Sequence, residues 1–146
     1  MSQKGPIGII GAMDDEIEMY LEHIKDAEEI KWKIFTFYRG KLNGKEVVLV
    51  KSGVGKVFAA MVAQRLIDEF NVSRILFTGV GGSLNPELKI GDVVVSTDSA
   101  HHDFDAQELG FKRGQISYTD YRFFEASEDL YDILRGLKPA VSSAGR

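Results

Sequence analysis

The segment Ile7-Gly8-Ile9-Ile10-Gly11-Ala12-Met13-Asp14-Asp15-Glu16 runs an apolar stretch into a glycine and then directly into three acids. Carboxylates in the first turn of a helix lie against its positive end, which keeps them ionised. An ionised carboxylate at the mouth of a pocket can take a proton from water, so this spacing suits general-base chemistry. Met13 would add an apolar, polarisable wall beside it. Taken alone, the acids also read as ordinary helix-end charges. Their position directly after a buried strand favours the chemical reading, because open α/β sheets bind ligands outside the carboxyl ends of their strands. Two further glycine-rich exits follow, Lys51-Ser52-Gly53-Val54-Gly55-Lys56 and Thr78-Gly79-Val80-Gly81-Gly82. Three such exits point to a small-molecule pocket.

Familiar phosphate motifs do not account for them. Gly53-Val54-Gly55-Lys56 has the end of a P-loop, but the first glycine would fall at Val50 and the residue after Lys56 is Val57. A dinucleotide fingerprint would need a glycine at Phe58. His101-His102-Asp103 invites a metal, yet adjacent residues on an extended segment point opposite ways and no second cluster completes a site. A loop or interface role is the better reading there, and no metal or cofactor is expected. Lys112-Arg113 reads as a solvated turn.

The elements that must position these groups come in βα order. Residues 7–11 read as a buried strand, and 14–25 as a helix with Ile17, Leu21 and Ile24 on one face. Residues 31–41 alternate as a single strand, and Asn43-Gly44 turns it into an antiparallel hairpin with 46–51. A broad apolar face makes 57–70 helical. Residues 74–78 and 92–96 read as strands, with a loop bracketed by Pro86 and Gly91 between them. The stretch 99–122 is polar, aromatic and without clear period. Residues 125–135 form a helix stopped by Gly136 and Pro139, and 139–146 resemble a linker.

At 146 residues the chain is expected to be one domain, with room for a sizeable core. A net charge of -4 gives no reason to expect nucleic acid, which selects a basic face. No apolar run approaches the roughly 20 residues of a membrane span, and the N-terminus lacks a secretory h-region. With no cysteine there is neither disulfide nor thiol nucleophile. A cytoplasmic address is expected.

Together the three glycine exits, with Leu88-Lys89-Ile90-Gly91-Asp92-Val93-Val94-Val95-Ser96 and His102-Asp103, resemble the methylthioadenosine/S-adenosylhomocysteine nucleosidases of the nucleoside phosphorylase superfamily. The resemblance spans residues 7–138, in order and at similar spacing. It implies a three-layer α/β/α fold with a central mixed sheet, of which residues 1–146 would be the amino-terminal part, incomplete at the C-terminus. It also implies hydrolysis of the adenine–ribose bond of methylthioadenosine and S-adenosylhomocysteine, by a homodimer without metal or redox cofactor. By position, Glu16 matches the family's water-activating glutamate. Met13 and Val54 match wall residues near the ribose and water. Gly82 matches a backbone contact to the ligand, in the turn that also carries Val80 and Gly81. Residues 99–121 fall where family members form a dimer contact, which puts His102 and Phe104 at or near it.

Cleaving an N-glycosidic bond builds oxocarbenium character on the sugar, so a carboxylate that deprotonates water and faces that charge fits the reaction. In the family, a Met-Glu pair holds the ribose hydroxyls and a later aspartate assists adenine departure. Both lie beyond this stretch. Val80 stands where some members have serine. Phosphorolysis is the rival within the fold, but phosphate would favour an arginine near the first strand end and a hydroxyl in the glycine turn. No arginine precedes Arg39 and Val80 is apolar, so water is favoured. A non-catalytic fragment is the rival outside enzymology.

Overall fold

The computed structural model describes residues 5–136. Its elements begin β1 (Ile7–Gly11), α1 (Asp14–His23), β2 (Lys25–Trp32), β3 (Phe35–Leu42), β4 (Lys45–Lys51), α2 (Lys56–Asp68) and β5 (Arg74–Phe77). These belong to a first unit that ends at Gly82. Its five strands make one mixed sheet in the order β2-β3-β4-β1-β5. β1 runs parallel to both β4 and β5, whereas β2, β3 and β4 form an antiparallel meander.

Two cores lie on opposite faces of this sheet. Ile10, Val48, Val50, Phe35 and Phe37 pack with Val62, Leu66 and Phe70 from α2 and the residues after it. Ile9, Val47 and Leu49 pack with Ile17 of α1, and Tyr20 and Leu21 join them. A helix on each face makes the three layers that the resemblance implies. Double cover also explains why Val47-Val48-Leu49-Val50 shows no polar alternation. Phe37, Leu49 and Leu66 are almost wholly buried, each contributing about 1.5–3 kcal/mol relative to exposure. Phe70 stacks on Phe37 with ring centroids 5.0 Å apart.

The Asn43-Gly44 hairpin forms as the dipeptide indicates. Both residues have positive φ, 49° and 77°, the requirement of the tight turn that matches strand twist. The preceding region departs from expectation. Residues 31–41 are not one strand, because Lys33 and Ile34 turn the chain and pair Trp32 with Phe35. Lys33 takes φ 54° without being glycine or asparagine, so the turn has no compositional mark. β2 also begins earlier than the alternation suggests, at Lys25, and is largely exposed and charged. An edge strand protected by charge lacks the apolar signature of a buried one.

From Ser83 onward a second unit follows. It holds β6 (Asp98–Ser99), one turn of 3-10 helix (Gln107–Leu109), β7 (Phe124–Glu125) and α3 (Glu128–Gly136). β6 and β7 pair antiparallel. Residues 92–96, expected as a strand, are irregular here. Val93 and Val94 are exposed, at 70% and 66%, with no neighbouring strand to take their main-chain groups. The polar-aromatic stretch closes on itself: Phe111 meets Tyr118 edge-on at 5.2 Å, and Tyr121 stacks on Phe124 at 6.0 Å. α3 starts at Glu128, three residues later than the sequence suggests, after the short strand β7. The linker expected over residues 139–146, and Pro139 as a helix stop, lie outside the described residues.

Candidate active site

The carboxyl ends of three strands lie side by side, Gly11 opposite Lys51 and Ile10 opposite Phe77. Main-chain bonds continue the pairing one step further. Ser52 N–H donates to the Gly11 carbonyl at 2.8 Å, and Thr78 N–H to that of Ile10 at 2.9 Å. The three glycine exits marked in the sequence therefore share one edge of the sheet. Ser52, only 2% exposed, also donates its hydroxyl to the Gly53 carbonyl at 2.8 Å, which anchors the β4 exit.

Glu16 is the third residue of α1, and its side chain folds back over the helix start. Oε2 accepts from the N–H groups of Ala12 at 2.6 Å and Met13 at 3.0 Å. This is the acidic half of a capping box, satisfying donors that the first turn leaves free. Oε1 reaches a distant segment and accepts from Val80 N–H at 2.9 Å. A carboxylate offers about four lone-pair positions, so three donors leave one open, on Oε1. The Val80 N–H holds the Glu16 carboxyl below its ordinary value. Partial burial opposes it, and the N–H groups of Met13 and Ala12 act in the same direction as Val80. The group is thus ionised at neutral pH, fixed in direction, and able to receive one more donor such as a water.

Asp14 and Lys51 meet across the same edge at 2.6 Å, tying the end of β4 to the first turn of α1. Met13 and Val80 join Glu16 through their main-chain N–H groups, and both side chains are exposed, at 40% and 80%. Gly81 and Gly82 continue the turn with open space where a side chain would be. Val54 sits exposed on the neighbouring exit from β4. The structure thus gathers Glu16, Met13 and Val80 into one hydrogen-bonded group, while Gly81 and Gly82 continue the exit that carries Val80 and Val54 lies on the β4 exit. Sequence reasoning missed Ala12 as a donor, the Asp14–Lys51 pair and the close approach of Gly79. The Thr-Gly-Val-Gly-Gly turn was its one signal for the last.

His102 lies in the second unit, where its carbonyl accepts from Arg113 Nε at 3.0 Å. A cavity of about 420 Å³ there is lined by Thr97, Asp98, Glu125, Ala126, Glu128 and Tyr131, none of them singled out by sequence. Among the described residues, no three His, Cys, Asp or Glu side chains are grouped to hold a metal ion. No helix among them is long and apolar enough to cross a membrane.

Comparison with known proteins gives the family and the fold. The sequence model of the phosphorylase superfamily matches residues 6–145. A 5'-methylthioadenosine/S-adenosylhomocysteine nucleosidase of Staphylococcus haemolyticus is 43% identical over 127 residues, covering 87% of this chain and 56% of the relative. The crystal structure of the Neisseria meningitidis nucleosidase with methylthio-immucillin-A superposes with a TM-score of 0.86 at 36% identity, covering 90% of this chain and 56% of that one. The futalosine hydrolase of Helicobacter pylori superposes with a TM-score of 0.84 at 36% identity, over 90% and 56%. The chain spans a little over half the length of these relatives.

Proposed function

The chain belongs to the phosphorylase superfamily, and we propose that it supplies the water-activating side of a site that hydrolyses the adenine–ribose bond of methylthioadenosine and S-adenosylhomocysteine. The observation that carries this reading is the Glu16 carboxylate, held by three main-chain donors with one lone pair open. As adenine departs, positive charge grows on the ribose. Glu16 faces that charge and takes the proton of the attacking water. The exposed Met13 and Val54 would wall the sugar, and Gly81 and Gly82 let a ligand approach the main chain closely. The groups that hold the ribose hydroxyls and protonate adenine would come from the remainder of the relatives' length.

Water is favoured over phosphate because one donor of the glycine turn and the lysine at the end of β4 are already engaged. Val80 N–H is given to Glu16, and Lys51 to Asp14. The test is adenine release from methylthioadenosine by the protein that carries this chain, in phosphate-free buffer. Sustained turnover is expected, and a strict requirement for phosphate would overturn the reading. We also assign the protein to the cytoplasm, as a homodimer with His102 and Phe104 at or near the contact. Sedimentation showing a monomer at micromolar concentration would refute the dimer.

A further inference from the structure

We infer that Gly79 is a positioning residue for Glu16: the space left by its missing side chain is the socket that the Glu16 carboxylate occupies. The inference rests on the reading of Glu16 as the base. A Cβ built at Gly79 would stand 2.5 Å from Glu16 Oε1, 2.7 Å from Cδ and 3.0 Å from Oε2. Non-bonded carbon and oxygen do not approach so closely, and the optimum between heavy atoms is nearer 3.5 Å. The three nearest atoms all belong to the end of one flexible side chain, so the carboxylate would move and the backbone would not need to. Nor is glycine required here for conformation, since Gly79 is absent from the residues with positive φ.

The other glycines of the edge differ. A Cβ at Gly11 would press Ile17 Cγ2 at 2.6 Å, a core contact, so substitution there would disturb packing. Gly81 and Gly82 have open space at that position. Gly79 alone among these four is hemmed in by the carboxylate and by nothing nearer. With a methyl at 79, Oε1 would leave the Val80 N–H, and Glu16 would keep its charge but lose its fixed direction. The charged residues on the neighbouring segments are Asp14 and Asp15 in the first turn of α1, Lys51 at the end of β4, paired with Asp14, and Lys56 at the start of α2. The β5 exit, Thr78-Gly79-Val80-Gly81-Gly82, brings no charged side chain.

The test begins with the carboxyl titration of Glu16, followed by carbon-13 NMR in this chain and in its Gly79→Ala variant. Glu16 should titrate at higher pH in the variant, and an unchanged titration would overturn the inference. In the protein that carries this chain, Gly79→Ala should lower kcat for adenine release about a hundredfold, as a misplaced catalytic group does, with KM changed only a few-fold. Where Glu16→Gln is inactive, full activity of Gly79→Ala would overturn it, even if the titration moved. Unfolding midpoints complete the cycle. Any destabilisation by Gly79→Ala should vanish when Glu16→Ala is also present, and a loss that persists would mean the methyl strikes something else and would refute the socket. Glu16→Gln separates the two readings. Should Glu16→Gln remain active, the base assignment fails while the titration still decides the socket. Should it be inactive while Gly79→Ala behaves as the parent, the socket alone fails.

Discussion

Two valine-rich segments of this chain meet opposite fates. Val47-Val48-Leu49-Val50 lies in the middle of a five-stranded sheet, and none of the four is more than 3% exposed. Val93-Val94-Val95 reads equally well as a strand, yet it is irregular and Val93 is 70% exposed. Local preference is similar in the two, so it does not decide the outcome. What differs is company. β4 has β3 and β1 beside it and a helix on each face, whereas residues 92–96 have no paired strand. The contrast extends to the two units: among the described residues, every buried apolar side chain falls between Ile9 and Phe70. β-propensity measures fit to a pleated, half-covered surface, and that surface must be supplied by neighbours.

The two units should differ most in their chemistry. If the first unit carries the reacting group, Glu16→Gln should lower adenine release by the protein carrying this chain about a thousandfold, within the range of a lost general base. Near-normal turnover would leave the two regions chemically equivalent. Next comes packing. Leu66→Ala should cost about 2–5 kcal/mol in urea unfolding, whereas Leu134→Ala, on the half-buried face of α3, should cost under about 1 kcal/mol because less surface is lost. Equal losses would erase the difference between the units.

A gentler probe is acid. The Val80, Met13 and Ala12 N–H groups depress the Glu16 pKa in the folded state. The stability this contributes is therefore fully present above the ordinary value of 4.5 and is lost as pH falls below it, through the lowered native value. Unfolding measured against pH should show the parent and Glu16→Gln curves converging in acid. Curves that stay parallel would mean the cradle does not bind the ionised form preferentially. The smallest effect is expected at Asp14 and Lys51, whose side chains are 80% and 43% exposed. Asp14→Asn should cost about 0.2–1 kcal/mol, and less in high salt.

The parts of the fold that were legible share a feature: their signals are local. Gly11 followed by acids marked the β1–α1 junction, Asn43-Gly44 marked a hairpin, and the apolar period of α2 marked a covering helix. What escaped depends on partners distant in sequence or on unmarked geometry. The Lys33-Ile34 turn carries no turn residue, and β2 carries charge because it is an edge. Residues 92–96 show the opposite error, a strand signal without a strand. At the site, the sequence indicated three acids but did not by itself choose among them, and resemblance selected Glu16. The choice becomes physical only through Val80, 64 residues away, a separation no periodicity reveals. Gly79 was legible as part of a glycine turn and not as room for a carboxylate.

The cradle around Glu16 is made wholly of peptide N–H groups, from Ala12, Met13 and Val80. Almost any amino acid supplies the same donor, and only proline withholds it. The acidity of the carboxylate is in this sense written in the path of the chain and is nearly independent of spelling at positions 12, 13 and 80. Side chains there can be exchanged without retuning the charge on Glu16. In the proposed site, recognition and proton affinity are thus separately adjustable, one through side chains and the other through the backbone.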